Sequence, residues 1–318
     1  MKKIFGILFV IFLISCGKSD QTEREIAKIK VNLDVRRFDL AFASATRTDL
    51  PVLKEKFPYL FPAQFPDSVW YHRMEDTLQK ELFSEVRKKF TGFGSFKTEM
   101  TDLFKHVKYY FPELTVPNVV TITSDVDFRN RVIYADSLML IALDNYLGKD
   151  HRFYEGIQDY IRADFEPENI VVDVAGEVST REVPLPSDHS FLARMVYFGK
   201  KLYLDHLFLP QYPKHTIMHY SEEQYDWAEV NEEEIWRYFV ERDLLFSTDS
   251  KLRERFIDPA PFSKFYLELD NQSPGRLGRF IGWQIVTSFM ENNEVSLREM
   301  LDMPAQDLFN KSRYKPKK

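Results

Sequence analysis

The chain has 318 residues, 44% of them hydrophobic and 29% charged, with a formal charge of −6. That is enough apolar mass for a sizeable core. An acidic chain without a long basic tract argues against nucleic acid as a partner. The single cysteine, Cys16, rules out a disulfide within the chain.

Lys2 and Lys3 precede an apolar run, Ile4 to Ile14, too short for a membrane-spanning helix, which needs roughly twenty residues. Residues 1–15 therefore read as a signal peptide. Leu13-Ile14-Ser15-Cys16 is similar to the lipobox of bacterial lipoproteins, in which the cysteine carries palmitate-type acyl chains. Cys16 is the expected lipidation site, each buried methylene adding about 0.8 kcal/mol of membrane affinity. Loss of Lys2 and Lys3 takes the formal charge from −6 to −8, so acyl chains would hold the membrane without electrostatic help. Residues 16–28 read as a polar, lipidated tether.

A globular region is expected over 29–310. Ile29, Val31, Leu33 and Val35 alternate with polar residues, which predicts a half-buried strand. The three prolines of "FPYLFPAQFP" predict a turn-rich connection. Met74, Leu78, Leu82, Val86 and Phe90 predict one long helix capped at Asp67 or Ser68. Ser95 is the expected cap of a second helix, bearing Phe96, Met100, Phe104 and Val107. A small sheet of two or three strands is expected over about 116–148, where "VPNVVTITS" and "RVIYADSLMLIALDNYLG" are rich in Val, Ile, Tyr and Thr.

The remainder reads as helical. "SDHSFLARMVYFGKKLYLDHLF" is apolar nearly all round and predicts a buried central helix. "NEEEIWRYFVERDLLF" opens with a cap and three glutamates, which the helix dipole favours. "SPGRLGRFIGWQIVTSFMENN" places Ser273 at a cap and Pro274 at the first helical position. Residues 311–318, "KSRYKPKK", form a basic tail that reads as disordered. The fold class that follows is α+β, predominantly helical with a small β-sheet.

Candidate chemistry is sparse. His215 and His219 stand four apart in "HTIMH", a spacing that holds zinc on a helix. Thr216 replaces the glutamate base, and Pro210 and Pro213 favour a loop, so the pair is a weak metal candidate. No Gly-x-Ser-x-Gly elbow, Walker loop or Gly-rich dinucleotide loop occurs, and no cofactor is expected. Gly278 and Gly282 let a neighbouring backbone approach their helix. Arg276 and Arg279 fall where the helix dipole disfavours cations, so partners such as Asp258, Glu268 or Asp270 are expected, or else an anion or partner site. Arg194, inside the most apolar helix, is expected in a buried ion pair or a cleft. Tyr197 beside it and Trp283 complete the candidate cleft residues.

Several long blocks carry a resemblance to a known family. "SLMLIALDNYLGKDHRFY", "FLARMVYFGKKLYLDHLFLP", "YSEEQYDWAEVNEEEIWRYFVERDLLFSTD" and "APFSKFYLELDNQSPGRLGRFIGWQIVTSFM", with the lipobox, resemble the gliding motility lipoprotein GldB family of the Bacteroidetes. The resemblance implies a cell-envelope lipoprotein of the gliding apparatus, acting beside type IX secretion and other gliding proteins. It implies anchorage in the outer membrane, on its periplasmic face or surface, and no established catalysis. A further similarity, to zincin-type peptidases lacking the metal motif, implies a degenerate zincin-like architecture with a cleft kept for binding. The alternatives are a lipoprotein metallopeptidase or hydrolase with an atypical site at His215, His219 or Glu222, and a glycan- or solute-binding lipoprotein.

Overall fold

A computed structural model of the chain describes residues 21–268 and 270–318. The expected signal peptide, Cys16 and the tether up to residue 20 lie outside the described residues. From Gln21 onward the tether is not free. Residues 21–26 are helical, Ile26 is buried, and Glu23 and Glu25 reach His106 at 3.3 Å and the Tyr109 hydroxyl at 3.4 Å.

The first strand is displaced from the alternation that predicts it, leaving Ile29, Val31 and Leu33 outside it. β1 covers only Val35–Arg37, and the chain turns at once into helix α1, Phe38–Ala43. Asp39 explains the turn: its buried carboxylate accepts from the Arg37 guanidinium and from the Thr121 hydroxyl at 2.5 Å. Helix α2, Leu50–Lys56, and a short turn at Pro58–Leu60 follow.

The expected long helix is two. α3, Asp67–Glu75, and α4, Thr77–Lys89, meet at Asp76, whose backbone is extended and whose side chain accepts from the Gln79 amide at 2.8 Å. The cap restarts the helix and turns Leu78 outward, where it is exposed. α5, Gly94–Tyr110, begins without the side-chain cap expected from Ser95, and buries Met100, Leu103, Phe104 and Val107.

The sheet adds β2, Asn118–Ile122, β3, Val132–Ala135, and β4, Leu138–Ala142, in the order β1-β2-β4-β3. β1 and β4 flank β2 in parallel, and β3 pairs antiparallel with β4. Successive side chains point to opposite faces of a strand. Val119, Met139 and Ile141 accordingly enter the main core, while Val120, Leu138 and Leu140 face a smaller cluster formed with Phe42, Leu50, Phe57, Phe61 and Phe83.

The helical remainder packs on the main-core face. α6, Asn169–Glu182, was not read from the sequence; it buries Ile170, Val171, Val174, Ala175 and Val178. α7, Phe191–Phe208, is the expected central helix and is capped by the Ser190 hydroxyl, which accepts from the Ala193 amide at 3.2 Å. α8, Glu222–Val230, α9, Glu232–Glu241, and α10, Lys251–Phe256, lead to α11, Leu277–Asn292. α12, Leu297–Asp302, and α13, Ala305–Ser312, complete the chain.

α11 starts later than Ser273 and Pro274 predict. The Ser273 hydroxyl donates to the carbonyls of Asp270 and Ser263 instead of capping, and Arg276 takes the cap position with φ 62°. α7 and α11 touch backbone to backbone through Gly199 and Gly282, where any Cβ would meet a main-chain carbonyl. The close approach expected of α11 is therefore made, with α7 as the neighbour. The tail is docked rather than loose: the Tyr314 hydroxyl donates to Glu232 at 2.8 Å, its ring meets Trp236 edge-on, and Lys317 pairs with Glu229. Among the described residues no helix is long and apolar enough to cross a membrane.

Candidate functional site

α6 and α7 each present one face to a cavity of about 230 Å³. Asp173, Gly176 and Glu177 lie on α6, and Phe198, Lys201, Leu202 and Asp205 on α7. Positions three, four and seven apart share a helix face, which brings these side chains together. Arg131 enters from the loop before β3, Asp164 from the segment before α6, His219 from the segment before α8, and Arg276 and Arg279 from the start of α11.

The Gly199–Gly282 contact sets the geometry of one wall. Phe198 immediately precedes Gly199, and Arg279 lies one turn before Gly282. The two helices are so close that the Arg279 guanidinium sits 4.2 Å from the Phe198 ring centre. This is cation–π range. Two residues here hold left-handed backbone without being glycine: His219, φ 53°, and Arg276, φ 62°. Such residues cost about 1–3 kcal/mol each and gather at functional sites. They are joined to each other, the Arg276 guanidinium donating to the His219 carbonyl at 2.7 Å.

The charges divide into a paired set and an unpaired set. Asp173 accepts from the Tyr146 hydroxyl at 2.6 Å and from Arg131 at 3.1 Å. The His219 ring lies between Asp164 and Asp173, at 3.5 and 3.4 Å. Its Nδ1 is close enough to Asp164 for charge attraction but makes no aligned hydrogen bond. Burial acts to raise the Asp164 pKa, but His219, Arg276 and Arg131 outweigh it and hold the group down at about 2.

The second set has no such arrangement. Among the described residues no carboxylate lies within 4.0 Å of Lys201, Arg276 or Arg279. Arg279 spends its Nε on the Ile257 carbonyl at 2.6 Å. Burial, then the neighbouring Arg276, lowers its pKa to about 9. Burial also lowers Lys201. On the acidic side, Asp205 is buried with one oxygen lacking any partner, and burial pushes it up to about 7 against the pull of Lys201. Burial raises Glu177 as well.

The profile of the gliding motility protein GldB matches residues 19–316. The chain belongs to that family. Membership assigns it to gliding motility and to the lipoproteins, and so associates it with the cell envelope and a gliding apparatus. Comparison with curated proteins and with solved structures gives no match.

The expected site residues separate. Arg276 and Arg279 line the cavity, but not with Asp258, Glu268 or Asp270 as ion-pair partners. Asp258 pairs with Arg253, and Asp270 accepts from the Tyr266 and Leu267 amides. Arg194 is neither in a buried ion pair nor in the cavity; it is half-exposed and donates to the His189 carbonyl at 3.2 Å. Tyr197 faces a different hollow, beside Lys200 and Pro184. Trp283 is buried against His206.

His219 lines the cavity, whereas His215 sits in a one-turn helix, Lys214–Ile217, away from its lining. Pro213 starts that helix instead of preventing it. Among the described residues no group of three or more His, Cys, Asp or Glu is arranged to hold a metal.

Arg131, Asp164, Asp173, Glu177, Lys201 and Asp205 were not picked out from the sequence. One signal was available for four of them. Asp173 with Glu177, and Lys201 with Asp205, are four-residue charged pairs inside apolar helical stretches.

Proposed function

We propose that the protein is a component of the gliding apparatus, anchored in the outer membrane by acyl chains on Cys16, that works by binding and not by catalysis. It acts beside the type IX secretion machinery. Family membership over 19–316 and the lipobox-like Leu13–Cys16 stretch support the anchored, motility-linked part of this reading. The observation that supports a binding role is a cavity whose Lys201 and Arg279 cations have no carboxylate within 4.0 Å among the described residues. Of the acids in its lining, Asp173 is not available as a base. Its oxygens are occupied by Tyr146, Arg131 and the His219 ring, so it serves as a fixed counter-ion. A general base must instead keep an oxygen available to the proton it removes.

The test is complementation of a strain lacking the protein. Wild type restores spreading over agar. Cys16→Ala does not, and is found outside the membrane fraction. Asp173→Asn, if it still folds, retains spreading. A null strain that spreads normally overturns the motility role. Membrane retention of Cys16→Ala overturns the anchor, and peptide or ester turnover by purified protein that is lost in Asp173→Asn overturns the non-catalytic reading.

A further inference from the structure

The cavity keeps unlike charges apart. Lys201 and Asp205 are four residues apart on α7, a spacing at which opposite charges reach each other on a helix, yet no ion pair forms within 4.0 Å. Glu177 on the facing helix also lacks an ion-pair partner among the described residues, although Lys201 is near enough to influence its titration. Across the cavity, no protein acceptor among the described residues takes the terminal nitrogens of Arg279 or the ammonium of Lys201. Buried charges are costly unless paired and hydrogen-bonded. The fold therefore presents donors lacking acceptors on one side and, at Asp205, which has only the Ser179 hydroxyl beside it, a carboxylate with one oxygen lacking a donor on the other.

We propose that this cavity binds a compact zwitterion, an amino-carboxylate of the kind a free α-amino acid presents. Its carboxylate is received by Arg276, Arg279 and Lys201, and its ammonium by Asp205 and Glu177. Guanidinium forks match the two oxygens of a carboxylate. The buried Asp205, with its unpartnered oxygen, is the second and independent observation. The unpaired acids in the lining also set the ligand class: a phosphate dianion would leave Glu177 and Asp205 without a donor, whereas a zwitterion satisfies both walls. At about 230 Å³ the cavity is below the roughly 300–1,000 Å³ of drug-sized sites, which fits a small molecule. The inference does not depend on the gliding role.

The experiment is isothermal calorimetry on the full chain purified in detergent, with each of the twenty standard amino acids titrated singly. Propionate, ethylamine and inorganic phosphate are titrated alongside. The expected result is saturable binding of at least one amino acid, at least tenfold tighter than propionate or ethylamine. Arg279→Gln and Asp205→Asn each weaken it tenfold or more, and Arg194→Gln, outside the cavity, leaves it unchanged. Circular dichroism checks folding, and Lys201→Met replaces Arg279→Gln if the latter does not fold. The proposal is overturned if no amino acid binds, if phosphate binds tightest, or if the folded cavity variants bind as wild type does.

Discussion

Gly282→Ala should destabilise the protein by roughly 2–3 kcal/mol, while Gly176→Ala, also within a helix, should stabilise it by about 0.5–1 kcal/mol. The two substitutions share one intrinsic effect, since alanine is the better helix former by about 1 kcal/mol. They differ in surroundings. A methyl at Gly176 meets nothing within 4 Å, whereas at Gly282 it falls more than 1 Å inside the 3.0 Å that real Cβ atoms keep from the Met195 carbonyl. A backbone carbonyl cannot rotate away, so α11 has to retreat from α7. Phe280, Ile281, Trp283 and Ile285, each at most 2% exposed, are buried on the same helix and would shift with it. Overpacking of such a core costs about 1–3 kcal/mol and occasionally more, and a forced helix displacement belongs at or above the upper end. At about 2–4 °C per kcal/mol, thermal unfolding by circular dichroism should show Gly282→Ala melting about 5–10 °C lower and Gly176→Ala slightly higher. A Gly282→Ala protein as stable as wild type would refute the argument that backbone contact sets the α7–α11 spacing, and with it the account of how Arg279 reaches Phe198.

Three further outcomes are expected. Arg131→Met removes the partner of Asp173 (3.1 Å, side chains 17% and 12% exposed) and should cost about 3–5 kcal/mol in urea unfolding, with part recovered in Arg131→Met/Asp173→Leu. Asp205 has a folded-state pKa of about 7 against an unfolded value near 4, so the native state holds the extra proton and stability falls as pH rises from about 4 to about 7; Asp205→Asn should flatten that part of the pH–stability profile. Asp76→Ala, which removes the acceptor of the Gln79 amide, should cost about 1 kcal/mol in the same unfolding assay.

The family resemblance was legible because several long, collinear blocks carry it, and the helix-dominated class with its small sheet was legible because periodicity is a property of neighbouring residues. The central helix could be read because Leu192, Met195, Val196, Leu202 and Leu204 recur within one stretch. Boundaries were less legible where a side chain bonded outside its own element. Arg37 and Thr121 hold Asp39 and start α1 directly after β1, and Ser263 and Asp270 divert Ser273 from capping α11. Thr121 lies 82 residues from Asp39 in sequence, beyond the reach of any local pattern.

The candidate site shows the same division. The sequence by itself identified Arg276 and Arg279 as misplaced at a helix start, because the helix dipole is a local field, and it identified the glycines that permit close packing. It also supplied the lipobox-like stretch and the lone Cys16. Only the tertiary structure decided that Arg276 and Arg279 face Lys201 and Asp205 instead of the acids just upstream, and that His219 stands between Asp164 and Asp173 while His215 turns away. The physical reason is that a cavity is defined by the meeting of separate elements, here α6, α7, α11 and three connecting segments. Which charges are left unpaired depends on distances that no single stretch of sequence contains.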